Sequence, residues 1–173
     1  MARQLGEAIV HHKLELVYGG AAIGLMGEVA DQVLLDGGVV YGVIPKRLQD
    51  KELAHGGIQH LEVVDSMHER KARMASLSDG FIALPGGFGT FEELFEVLTW
   101  AQLGIHKKPI GLLNVDGYYD HLLQFLDHAA EQRLLQQRHR DLLMVETDPH
   151  ALLRRFRVYE PKDVERWMSL DET

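Results

Sequence analysis

The feature that most constrains this chain is a regular alternation of short strand-like runs with longer helix-like runs. Strand-like segments occur at Leu14 to Tyr18, Val39 to Ile44, Leu61 to Val64, Phe81 to Leu84, Pro109 to Leu113 and Leu143 to Glu146. Helix-like segments lie between them at Leu25 to Leu35, Met67 to Leu77, Phe91 to Leu103, Tyr118 to Leu134 and Pro149 to Phe156. Such alternation predicts an α/β fold, a doubly wound parallel sheet with helices on both faces. Three helix starts carry chemical signals. Ser66 with Glu69 and Thr90 with Glu93 both fit a capping box, and Asp148 before Pro149 fits a cap followed by proline. The chain opens on an amphipathic helix pattern with Leu5, Ile9 and Val10 on one side. A doubly wound sheet ordinarily begins with a strand, so a first strand is expected to be absent from this sequence.

At 173 residues, with 46% apolar and 25% charged residues, the chain fits one domain, residues 1–173, with a substantial core. Its 26 acidic against 18 basic side chains leave a net charge of −8, which argues against nucleic acid or an anionic membrane as partner. A small anion in a local pocket stays compatible with that balance. Without cysteine there is neither a disulfide framework nor a thiolate metal site. The start MARQLGEAIVHHK is neither a signal peptide nor a membrane span, and a cytoplasmic location is expected.

Two glycine-rich turns follow strand-like segments. LELVY leads into GGAAIGLMG, with Gly19, Gly20, Gly24 and Gly27, and FIAL leads into PGGFGT, with Gly86, Gly87 and Gly89 before Thr90. Glycines between a strand and a helix leave backbone N–H groups bare beside the positive end of the helix dipole, which suits a phosphate. Each glycine is also explained by a tight turn alone, but two clusters at two strand ends favour a ligand. Neither turn has the Gly-Lys-Ser/Thr of a Walker loop, which argues against ATP or GTP hydrolysis. The second reads G-x-G-x-x-E, and no acidic residue ends the next strand at the expected distance, so a dinucleotide is poorly supported.

Charged residues in apolar company are the next signal. Arg70 shares a helical stripe with Met67, Met74 and Leu77, so it is expected to face inward and to meet a carboxylate or a phosphate; a structural ion pair would satisfy the same pattern. On the helix after Thr90, Phe91, Leu94, Phe95, Leu98 and Ala101 form the core stripe, with Glu92 and Glu96 opposite. Glu93 lies beside Val97, Trp100 and Gly104, a second apolar strip that a partner subunit could cover, which suggests a dimer. A capping-box glutamate explains Glu93 equally well by spacing. The ten histidines show no metal-ligand spacing, and His11, His12, His121 and His128 read as surface residues, so no catalytic metal is expected. No serine lies in a G-x-S-x-G elbow, and His106-Lys107 is only a faint match to the lysine of pyridoxal-phosphate enzymes.

SMHERKARM at Ser66 to Met74 and PGGFGTFEE at Pro85 to Glu93 resemble the paired signature of the LONELY GUY (LOG) family, M-H-x-R-K and P-G-G-x-G-T-x-x-E. GGAAIGLMGEVA and TWAQLGIHKKPIGLLNVDGYYD are also similar to that family, so the resemblance covers nearly the whole chain. Related sequences are often labelled lysine decarboxylase-like, a name at odds with the lack of a pyridoxal site. The resemblance implies a Rossmann-like fold, a homodimer, no cofactor, and hydrolysis of cytokinin riboside 5′-monophosphates to free base and ribose 5-phosphate. By motif match it makes Arg70 and Glu93 the catalytic pair, gives Gly86, Gly87, Gly89 and Thr90 to the phosphate-holding turn, and places Met67 and Lys71 at the nucleotide. Two departures stand out. The family begins with a strand and a Gly-Ser loop that have no counterpart here, and Ala21 stands where relatives more often carry a third glycine.

The mechanism expected on that basis uses the Glu93 carboxylate to stabilise positive charge on the ribose and to activate water. Arg70 would orient Glu93 and keep it ionised, while the 5′-phosphate rests on the Gly86 to Thr90 amides as an anchor. A nucleoside without phosphate should react poorly. Unmodified AMP is an alternative substrate. The alternative of another class is a non-catalytic nucleotide or molybdenum-cofactor binding protein on the same scaffold, with Glu93 only capping its helix.

Overall fold

In this computed structural model, residues 1–49 and 54–161 are described. The expected alternation is present, and among the described residues the pairings between named strands are parallel. The chain divides into two units, Met1–Ser78 and Asp79–Thr173.

The first unit runs α1 (Ala2–His11), β1 (Leu16–Tyr18), α2 (Gly24–Leu35), β2 (Val40–Pro45), α3 (Lys46–Gln49), β3 (His60–Val64) and α4 (Met67–Leu77). Its strands lie in the order β1-β2-β3, with Tyr18 beside Gly42 and Ile44 beside Val63. β2 is buried along nearly its whole length, as a central parallel strand covered on both faces should be. The amphipathic start of the chain is α1, and Leu5 and Ile9 are buried as their spacing predicts. α1 meets α2 closely at Gly6, where a Cβ would come within 2.7 Å of the Gln32 Cβ. An exposed Arg3–Glu28 ion pair at 2.7 Å links the same two helices.

The second unit runs β4 (Phe81–Ala83), α5 (Phe88–Gln102), β5 (Ile110–Leu113), α6 (Asp120–Glu131), α7 (Gln137–Arg140), β6 (Leu143–Glu146) and α8 (Pro149–Arg157). The order is β4-β5-β6, and the fully buried Ile110 and Leu112 of β5 pack with Leu94, Tyr119, Leu126 and Leu143. Each fully buried isoleucine or leucine contributes roughly 1.5–3 kcal/mol relative to exposure. The short helices α3 and α7, four residues each, carry too little periodicity to be read from sequence.

Two of the three expected caps form. The Glu69 N–H donates to Ser66 Oγ at 3.1 Å, while the Glu69 carboxylate accepts from the Asp65 N–H at 2.8 Å, one residue earlier than in a regular capping box. Asp148 accepts from the Ala151 N–H at 2.7 Å, with Pro149 in the first turn. The Thr90 cap does not form. α5 starts at Phe88 with Gly87 as its N-cap, and the first turn closes from the Phe91 N–H to the Gly87 carbonyl oxygen at 3.1 Å. Thr90 therefore lies inside the first turn, and Glu93 is not the third residue of the helix. The tight Pro85-Gly86-Gly87 turn, not the Thr-x-x-Glu spacing, sets where α5 begins.

The expected outer strip on α5 is also corrected. Trp100 is only 9% exposed, Gly104 is buried, and Val97 packs on the core of its own unit, so this chain covers the strip itself. Phe95, expected in the core, is exposed.

Candidate active site

In the first unit, β1 ends at Tyr18 and delivers Gly19 and Gly20 into the turn before α2. Gly20 needs its freedom for two reasons: its φ is +73°, and a Cβ would lie 3.2 Å from Ile44 and Leu61. Gly19 has a different cause. A Cβ there would run into the Arg70 guanidinium. Arg70 is 7% exposed, as its place in the apolar stripe of α4 predicts, and its Nε donates to the Val43 carbonyl oxygen at 3.2 Å. A buried guanidinium needs such acceptors, because an unsatisfied buried charge is costly. The rest of the stripe is shallower than expected: Met67 is 46% exposed, Met74 and Leu77 are half-buried, and the small Ala75 is the other buried residue of α4. Lys71, next to Arg70, is half-buried.

The first turn is held by a residue that sequence reasoning missed. The His55 N–H donates to the Gly20 carbonyl oxygen at 2.9 Å, beside an antiparallel bridge between Ala21 and Ala54. The His55 ring lies 3.0 Å from Asp31 through Nε2 and accepts the Gly57 N–H on Nδ1 at 3.1 Å. Nε2 is thus the donor to Asp31. No motif in the sequence ties His55 to a glycine turn more than thirty positions earlier.

In the second unit, the turn after β4 leads straight into α5. Gly86 is obligatory by packing, since a Cβ would run into Thr90 Oγ1, whereas a Cβ on Gly87 or Gly89 would meet nothing within 4 Å. The open side of the turn thus lies at Gly87 and Gly89. A helix leaves its first N–H groups without intrahelical partners, and a glycine N-cap has no side chain to accept from them. Phe88, inside this first turn, is 91% exposed. Glu93 sits half-buried on the second turn of α5.

The back of this turn is tethered by two adjacent tyrosines. The Tyr118 hydroxyl donates to the Gly86 carbonyl oxygen at 2.7 Å, and the buried Tyr119 hydroxyl donates to the Leu84 carbonyl oxygen at 2.5 Å. Burial, together with Tyr118 nearby, pushes the Tyr119 pKa up to about 12, so that hydroxyl keeps its proton. Asn114 fixes the pair: its Oδ1 accepts the Tyr119 N–H at 2.8 Å and its Nδ2 donates to Asp120 at 2.7 Å. The segment NVDGYYD belongs to the family resemblance, but nothing in its pattern tells which carbonyls it holds.

His106 is a structural joint. Its Nε2 donates to the Val97 carbonyl oxygen at 2.9 Å and its Nδ1 accepts the Lys108 N–H at 3.2 Å, so the ring is neutral and ties α5 at Val97 to the loop that precedes β5. Burial lowers its pKa, opposed by the bond to Val97 and assisted by Lys108.

Of the residues expected to act, Met67, Arg70 and Lys71 lie on the one helix α4, and Gly86, Gly87, Gly89, Thr90 and Glu93 lie in or just after the turn that opens α5. Among the described residues, no helix is long and apolar enough to cross a membrane.

The chain matches the family described as possible lysine decarboxylase over residues 26–156. It is 52% identical to LOGL9 of Oryza sativa subsp. japonica, named probable cytokinin riboside 5′-monophosphate phosphoribohydrolase, over 92% of this chain and 70% of that protein. It is 49% identical to the cytokinin riboside 5′-monophosphate phosphoribohydrolase LOG7 of Arabidopsis thaliana, over 93% of this chain and 74% of that one. Among solved structures, the molybdenum cofactor carrier protein of Chlamydomonas reinhardtii superposes with a TM-score of 0.67 at 23% identity, covering 92% of this chain and 87% of that one. The molybdenum cofactor binding protein of Rippkaea orientalis gives 0.66 at 22% identity, with 88% and 82% covered. At that identity the likeness is one of fold.

Proposed function

Because the chain belongs to the LONELY GUY (LOG) family, we propose that it is a phosphoribohydrolase, which cuts the N-glycosidic bond of cytokinin riboside 5′-monophosphates, or of AMP, to give free base and ribose 5-phosphate. One observation carries this reading: about half of all residues are identical, over nine-tenths of the chain, to proteins named for that activity. The molybdenum-cofactor alternative has only likeness of fold at 22–23% identity behind it.

In this reading the 5′-phosphate is held by the backbone N–H groups of Gly86, Gly87, Gly89 and Thr90. What supports that role is the glycine cap and the open side of the turn, where bare amides and the helix dipole favour an anion. Glu93 takes the proton of the attacking water as its oxygen bonds to the anomeric carbon, and the carboxylate stabilises the positive charge that develops on the ribose. The bond to the base breaks with its electron pair going to the base nitrogen, which takes a proton from solvent, and Glu93 returns to solvent the proton it took from the water. Because α5 is capped at Gly87, the Thr-x-x-Glu spacing does not by itself account for Glu93. Arg70 supplies fixed positive charge to the nucleotide, with Met67 and Lys71 beside it on α4. Residues 1–173 act in this reading as one domain of a cytoplasmic homodimer, and light scattering of the purified chain checks the dimer.

The test is to incubate the chain with AMP and with isopentenyladenosine 5′-monophosphate and to quantify free base by chromatography, beside Glu93→Ala. Release by the parent and a drop of about 10²-fold or more in the variant is the expected result for loss of a general base. No release from either nucleotide overturns the hydrolase reading, and the ratio between the two assigns the substrate.

A further inference from the structure

We propose that Tyr118 is a positioning residue for the phosphate-holding turn: its hydroxyl, by fixing the Gly86 carbonyl, aims the Gly87 N–H at the anion. This rests on the reading of the Gly86 to Thr90 turn given above.

In a trans peptide the carbonyl and the following N–H point in opposite directions. A hydrogen bond that draws the Gly86 oxygen towards Tyr118 therefore turns the Gly87 N–H away from Tyr118. Gly87 is the N-cap of α5, so its N–H joins those of Phe88, Gly89 and Thr90, the donors that the helix itself does not use. A peptide between two glycines is the one most free to flip, because neither residue has a Cβ to restrict it. The tether at 2.7 Å acts on that peptide.

The geometry of Tyr118 singles it out. Its side chain is 52% exposed, so water could satisfy the hydroxyl and burial does not oblige it to bond Gly86. It nevertheless spans 32 positions in sequence to do so. The segment before it is built to hold the ring there. Asp116 and Gly117 both have positive φ, +50° and +71°, and turn the chain sharply ahead of the tyrosines. The Tyr118 ring then stands edge-on to Tyr119 at 4.9 Å between centroids, and Tyr119 is itself anchored through Leu84 and Asn114. Tyr119 is the buried post, and Tyr118 is the arm that reaches the turn.

The experiment compares the full chain with Tyr118→Phe, which keeps the ring and removes only the donor. Ribose 5-phosphate binding is measured by calorimetry, KM and kcat for AMP by base release, and the melting temperature by scanning. The expected result is affinity for ribose 5-phosphate weakened by about three- to tenfold, the range for one lost hydrogen bond. KM for AMP rises by the same factor, while kcat and the melting temperature stay nearly constant. A purely structural tyrosine would lower the melting temperature and leave affinity alone, and that outcome overturns the proposal. So does unchanged affinity, or a parent that binds no ribose 5-phosphate. A parent that binds ribose 5-phosphate in a Tyr118-dependent way yet releases no base supports this inference and refutes the hydrolase reading, so the two fail separately.

Discussion

The Arg70 guanidinium lies against Gly19, in the space that a Cβ on Gly19 would need. Glycine is required there to seat a buried cation rather than to reach an unusual φ, since Gly19 is not among the positive-φ residues. Gly19→Ala should therefore push the guanidinium off the Val43 carbonyl oxygen. The expected cost is about 1–3 kcal/mol in stability, as for other overpacked interiors. Base release should fall about 10²-fold, as for a group displaced by an ångström. Urea melts and turnover with AMP check both, and an unchanged pair of values would mean that the guanidinium has another seat.

Two glycines of the PGGFG turn should differ sharply. Gly86→Ala meets Thr90 Oγ1 and should lose about 1–3 kcal/mol, whereas Gly89→Ala, inside the first turn of α5, meets nothing within 4 Å and should stay within about 0.5 kcal/mol of the parent. Denaturation midpoints of the two variants decide it, and equal losses would contradict this packing.

His106 gives the chain an acid limit. Its folded pKa lies below the unfolded value of about 6.5, so the unfolded state binds the extra proton first. The contribution is whole above that pH and is lost as pH falls from about 6.5 towards the folded pKa. Urea midpoints between pH 8 and pH 5 should decline with a slope that His106→Gln flattens; an equal slope in the variant would place the titration elsewhere.

Helix caps supply a graded comparison. Ser66→Ala and Asp148→Ala each remove an observed N-cap bond and should cost about 1 kcal/mol. Thr90→Ala removes no cap and should cost less than about 0.5 kcal/mol. A loss at Thr90 equal to that at Ser66 would restore the capping role that the helix start at Phe88 denies it.

Much of the site is legible in the order of the residues. Arg70 stands out as a charge in an apolar stripe, and it is buried. The two glycine clusters mark the ends of β1 and β4, and both precede helices. What misleads is spacing that fits two causes. Thr90 and Glu93 satisfy a capping box by spacing, yet Gly87 starts the helix three residues sooner. Val97, Trp100 and Gly104 look like an outer strip on a lone helix, yet this chain buries Trp100 and Gly104.

The α/β class, the order of the main elements, the caps at Ser66 and Asp148 and the inward turn of Arg70 are all properties of the amino-acid sequence. They follow from periodicity and from contacts within a few residues, which local chemistry specifies. Only the folded chain reveals why Gly19 and Gly86 are glycines, that His55 closes the first turn, and that Tyr118 and Tyr119 hold the second. Apart from Gly86 and Thr90, the partners in those contacts lie more than thirty positions apart. Folding brings them together, and no local period or propensity records which distant carbonyl a hydroxyl or an amide will meet.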